Sequence, residues 1–154
     1  MTRPLVYISG AITGTNLDER MLFHTTAKWL SAHNDYDTFN PLDMDIPEAD
    51  TRHTKWQQAL ARDVTVIASD DCIGICALET FERSKGALFE IFIALTLGRK
   101  IILGPGQDEL WIAHVTEIIR SSQSVLWMNV DALRYAHHSD INIPSVQPPS
   151  ESHA

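Results

Sequence analysis

Residues 72–103 read CIGICALETFERSKGALFEIFIALTLGRKIIL, and this stretch decides the fold class. CIGICAL is an apolar, β-rich run, ETFER is a polar connection, and GALFEIFIALTLG, from Gly86 to Gly98, is hydrophobic on nearly every side of a helix. KIIL then starts another apolar strand. Strand, helix and strand in this order are the pattern of an α/β domain with a mainly parallel sheet.

The alternation continues on both sides. Upstream, PLVYIS forms a strand ending at Gly10, the loop GAITGT leads into a helix over about 18–33, and the short strand YDTF stops at Asn40 and Pro41. Residues 42–52 are rich in acids and read as a mobile loop of the kind that serves as a lid. A helix over about 54–68 follows, with Trp56, Leu60, Val64 and Ile67 on one stripe and Asp63 on or beside it. Downstream come the turn GPGQD, a helix over about 109–120 and a fifth strand, SVLWM. From Ser139 the composition shifts to Ser, Pro, His and Asn, so residues 1–138 read as one domain and 139–154 as a disordered tail.

A chain of 154 residues can bury a core without metal or disulfide staples. Cys72 and Cys76 are the only cysteines. Their spacing predicts one face of a strand, roughly 13 Å apart and too far for a disulfide. No zinc-type spacing accompanies them, and no metal is expected. The formal charge of −8, with no clustered basic surface, argues against a long nucleic acid. No apolar run is long enough to span a bilayer, and MTRPLVYISG lacks a signal-peptide cleavage pattern, which points to a cytoplasmic protein.

Glu90 is the one charged residue inside the apolar helical run. A carboxylate in such a place carries a desolvation penalty of several kcal/mol unless it is paired, hydrogen-bonded or protonated. Ser84 is a good N-cap for the helix, and Gly86 lets a ligand approach its backbone, so an anion site precedes a buried carboxylate. In an open parallel sheet, ligands bind at the carboxyl ends of the strands. The loop at residues 9–15, which opens with Ser9, and the loop at 79–84 both fall at that edge. One cleft lined by Tyr7, Gly10, Ser84, Gly86 and Glu90 is expected there. The structural alternatives are a Glu90 paired with a buried donor, an Asp63 on the helix surface and a Tyr7 bonded to backbone.

YISGAITG near the N-terminus, Asp63 on a helix eight residues before Asp71, and SKGALFE with its glutamate six residues after the serine together resemble the nucleoside 2-deoxyribosyltransferase superfamily. The serine spacing is closer to the 2'-deoxynucleoside 5'-monophosphate N-glycosidases within it. The resemblance covers about residues 4–103. It implies a flavodoxin-like (Rossmann-like) five-stranded sheet with helices on both faces. It also implies Glu90 as nucleophile, Asp63 as the acid/base for the departing base, and Tyr7 as the hydroxyl that orients Glu90. Ser9, Gly10, Ser84 and Gly86 become substrate-binding residues, and Thr116 a hydroxyl offered to a neighbouring subunit's phosphate site. The N-glycosidases carry further polar or basic residues in the first loop, where this chain has Ala11 and Thr13; Arg83 or Lys85 can compensate.

The expected activity is cleavage of the N-glycosidic bond of a 2'-deoxynucleoside or its 5'-monophosphate through a covalent glycosyl-enzyme. Transfer is to water or to another nucleobase. Cleavage builds positive charge on the sugar, which a carboxylate beneath the anomeric carbon stabilises, while a second acid serves the leaving group. That route needs neither metal nor organic cofactor. A homo-oligomer is expected, with Trp111 and Ile112 as candidate contacts. Two alternatives stay open: a nucleotide-binding sensor or scaffold without turnover, and a metal-independent hydrolase of another phosphorylated sugar.

Overall fold

The computed structural model describes residues 2–43 and 52–122. Within them four strands, β1 (Leu5–Ser9), β2 (Asp37–Phe39), β3 (Cys72–Ala77) and β4 (Lys100–Ile101), alternate with four helices. These are α1 (Leu17–Asn34), α2 (Arg52–Ala68), α3 (Lys85–Thr96) and α4 (Glu109–Ser121). The strand order is β2-β1-β3-β4, and every neighbouring pair is parallel.

The sheet therefore has four strands among the described residues, not the five expected. β4 pairs with β3 alone there. The expected fifth strand, SVLWM, lies outside the described residues, as do most of the acidic loop and the tail at 139–154. The loop's first residues form a single 3-10 turn, Pro41–Asp43.

The helices begin where side chains can replace missing backbone partners. At α1, Asn16 and Glu19 form a reciprocal capping box: Glu19 N donates to Asn16 Oδ1 at 2.8 Å, and Asn16 N donates to Glu19 Oε1 at 3.4 Å. Ser84 Oγ accepts from Ala87 N at 3.1 Å at α3, and Asp108 Oδ1 accepts from Leu110 N at 2.9 Å at α4. The far end of α2 is closed by Arg99, which donates to the carbonyls of Ile67, Ala68 and Ser69. A cation there complements the negative end of the helix dipole and ties α2 to the segment between α3 and β4.

Helices cover both faces of the sheet. Tyr7, Ile75 and Ala77 pack with Leu60 and Ile67 of α2, Phe89 and Ile91 of α3, and Val115 and Ile119 of α4. Val6, Ile8, Cys76 and Leu78 pack on the other face with Phe23 and Leu30 of α1. Each central strand is thus buried on both sides, which explains its continuous apolar character.

One irregularity corrects the reading of the cysteines. Leu5 pairs with Cys72, but Val6 pairs with Gly74, so Ile73 is an extra residue on β3. An inserted residue reverses the alternation of side chains on one side of it. Cys72 consequently joins the Tyr7 layer, while Cys76 lies in the α1 layer. The two cysteines occupy opposite faces, not the shared face that their spacing predicts. Gly74, beside the bulge, has no room for a side chain: a Cβ there would lie 2.5 Å from Ile102 Cγ1 and 2.6 Å from the carbonyl oxygen of Lys100.

Candidate active site

From the central pair of strands the chain departs in opposite directions, β1 through α1 to β2 and β3 through α3 to β4. The carboxyl ends of β1 and β3 form the crevice where open α/β sheets hold ligands. Two hydrogen bonds join the loops at this edge: Leu78 N donates to the Ser9 carbonyl at 2.8 Å, and Ala11 N donates to Thr80 Oγ1 at 3.0 Å. Gly10 fits between them because a Cβ would come within 3.0 Å of both Leu78 Cβ and Thr80 Oγ1.

Four expected site residues meet below this edge. Glu90, in the second turn of α3, is buried, and Ser9 Oγ at the end of β1 donates to its Oε2 at 3.0 Å. Asp63 reaches the same region from α2 and is only 5% exposed, so it is not a helix-surface acid. Tyr7 projects from β1 with no exposed surface, and its ring stacks on Phe39 of β2 at 5.4 Å. Three elements on one side of the sheet therefore bring two carboxyls and a phenol together.

The electrostatics follow from burial. Desolvation, then the Asp63 charge, pushes Glu90 up to about 8, against the opposing effects of Ser9, Tyr7 and Arg62. Burial also raises Asp63, opposed chiefly by Arg62, whose Nε and Nη2 both donate to Asp63 Oδ1, at 2.8 and 2.7 Å. The Tyr7 phenol lies well above its usual range through burial and the charges of Glu90 and Asp63. Its hydroxyl is near enough to feel both carboxyls, yet it is the one buried side-chain polar atom without a hydrogen-bond partner among the described residues.

The remaining expected residues are placed differently. Ser84 spends its hydroxyl capping α3, and Gly86 lies in that helix's first turn, where amides lack intrahelical partners. Arg83 pairs with Glu19 of α1, and Lys85 is exposed. Thr116 is exposed on α4, where its hydroxyl donates to the Ile112 carbonyl of its own helix. Trp111 donates Nε1–H to the Ala77 carbonyl and meets Phe81 edge-on, so it is a wall of the fold. Beside it opens a shallow cavity of about 470 Å³ lined by Glu79, Gln107, Asp108 and His114. Among the described residues no three His, Cys, Asp or Glu side chains gather closely enough to hold a metal ion.

Three contributors escaped the sequence reading. Thr80 links the two loops, Phe39 supports Tyr7, and Arg62 grips Asp63. The adjacency of Arg62 and Asp63 was visible, but neighbours on a helix do not face one another by default. Nothing local marks Thr80 or Phe39, whose partners lie far along the chain.

A family model described as a domain of unknown function, DUF4406, matches residues 4–103. The span includes Tyr7, Ser9, Asp63, Ser84 and Glu90 and stops before α4. No curated protein and no solved structure gives a significant match.

Proposed function

The chain belongs to the DUF4406 family, and we propose that it cleaves the N-glycosidic bond of 2'-deoxynucleosides or their 5'-monophosphates. The observation that carries this reading is the convergence of buried Glu90 and Asp63 on the unpartnered Tyr7 hydroxyl. The sheet order supports the flavodoxin-like architecture of the nucleoside 2-deoxyribosyltransferase superfamily, which the chain resembles in its motifs.

Glu90, as carboxylate, attacks the anomeric carbon; the bond from that carbon to the base nitrogen breaks, and its electron pair leaves with the base. Asp63, having received the pair's proton, delivers it to the departing base. Ser9 holds Glu90 in line through a hydrogen bond, and the nearby Tyr7 hydroxyl also favours its charged form. In the second step an acceptor, water or another nucleobase, loses a proton to Asp63 and attacks the same carbon. The ester C–O bond breaks and Glu90 is restored. Substrate lies over Ser9, Gly10 and Gly86, with Thr116 serving a partner subunit in a homo-oligomer.

One observation favours a second reading, a nucleotide-binding sensor of the same fold. The Ala11 amide is engaged by Thr80, and Arg83 is paired with Glu19, so neither is idle for a phosphate. Incubation of the wild type and Glu90→Ala with each common deoxynucleoside and monophosphate, with and without a second base, separates the two. Free base from the wild type alone supports cleavage, and a new nucleoside identifies a transferase. Retained nucleotide binding with no base released from any substrate overturns the enzyme reading in favour of the sensor.

A further inference from the structure

Arg62 does more than neutralise an acid. Both of its donors to Asp63 fall on one oxygen, Oδ1, and the pair is largely removed from water, with side-chain exposures of 22% and 7%. The guanidinium also sits over the Phe39 ring, 5.5 Å from its centroid, and that ring stacks on Tyr7. One cation therefore touches one carboxylate directly and braces the phenol through an aromatic ring. A lysine cannot reproduce the planar fork or its seating on an aromatic face.

We propose that Arg62 is a positioning residue, which orients the Asp63 carboxylate and keeps the single proton of the Asp63–Glu90 pair on Glu90 in the resting protein. Its catalytic consequence rests on the glycosidic reading above. Among the described residues the titratable or charged groups that bear on Asp63 are Arg62 of its own helix, Tyr7 of β1 and Glu90 of α3. Two neighbouring buried carboxyls ionise together only at a penalty, so they titrate as a pair. With Arg62 on Asp63, the singly protonated pair has Asp63 charged and Glu90 neutral. Transfer of that proton to Asp63 then creates the nucleophile and the acid in one event. Without Arg62 the pair takes up its second proton at higher pH, and the doubly protonated form has no carboxylate with which to attack.

The test is a 13C NMR titration of side-chain carboxyls in the substrate-free wild type, Arg62→Gln and Arg62→Lys. The lower of the pair's two titrations should rise by about one unit or more in Arg62→Gln. In Arg62→Lys it should return most of the way to wild type, because the charge is kept. The acid limb of the pH–rate profile for base release should move with it, and Arg62→Lys should still lose kcat because the fork is gone. A purely structural role would lower the melting temperature and leave the titration in place. Titrations unchanged in Arg62→Gln overturn the proposal. A shifted titration in a protein that releases no base from any substrate upholds the positioning role and removes the glycosidic reading instead.

Discussion

Ser9 Oγ donates to Glu90 Oε2 at 3.0 Å, joining residues 81 positions apart across the boundary between the end of β1 and the second turn of α3. This bond anchors the carboxyl that the apolar helix forces into the interior. It also favours the charged form of Glu90 in a place where burial opposes charge.

Replacing Ser9 by Ala should therefore act on chemistry more than on folding. Loss of the donor raises Glu90 further, so the pair's upper titration and the alkaline limb of base release move to higher pH, while the form with Glu90 charged becomes rarer and kcat/KM falls by about 10-fold or more at neutral pH. Stability should drop by only about 1 kcal/mol, the usual worth of one hydrogen bond. A pH–rate profile and urea unfolding of Ser9→Ala would check both values.

Tyr7→Phe should separate stability from function. The ring keeps its stacking on Phe39, while the only thing removed is a buried hydroxyl with no partner among the described residues. Relief of that unsatisfied group should leave the protein equally stable or more stable by about 1 kcal/mol. Base release should fall by about 10-fold or more, through loss of the hydroxyl that favours the charged form of Glu90. A variant with wild-type turnover would exclude Tyr7 from the mechanism.

Stability should decline as pH rises from about 4.5 to about 8. Glu90 is raised in the folded chain from 4.5 to about 8. Between those values the folded state holds a proton that the unfolded state has released, so raising the pH favours unfolding by up to roughly 1.4 kcal/mol per unit. Asp63, also raised, contributes with the same sign. Above about pH 8 the Glu90 contribution levels off. Glu90→Gln should flatten the curve and exceed wild-type stability at pH 8. Urea denaturation of both proteins at pH 5, 6.5 and 8 measures the difference.

Gly74→Ala should destabilise by about 3 kcal/mol. The added Cβ meets the Lys100 carbonyl oxygen at 2.6 Å, and a strand backbone cannot swing aside as a flexible side chain can. The loss should appear in chemical denaturation, and in turnover only where unfolding is already under way.

The apolar run around Glu90, the Ser84 cap and the four described strands were legible in the residues because they rest on short-range physics. Periodicity and capping act over three or four positions, and an isolated acid among apolar neighbours identifies itself. The same local pattern led the cysteines astray. One extra residue on β3 reverses alternation, and Ile73 carries no mark of being that residue until β1 lies beside it. The site shows the same division. The sequence by itself determined that Glu90 would be buried. Only the tertiary structure decided that Ser9, Tyr7 and Asp63 would meet it, with Arg62 on Asp63. That meeting depends on strand order, on the rotation of α2 about its axis and on the anchoring of that helix by Arg99, all consequences of long-range packing that no local window of residues contains.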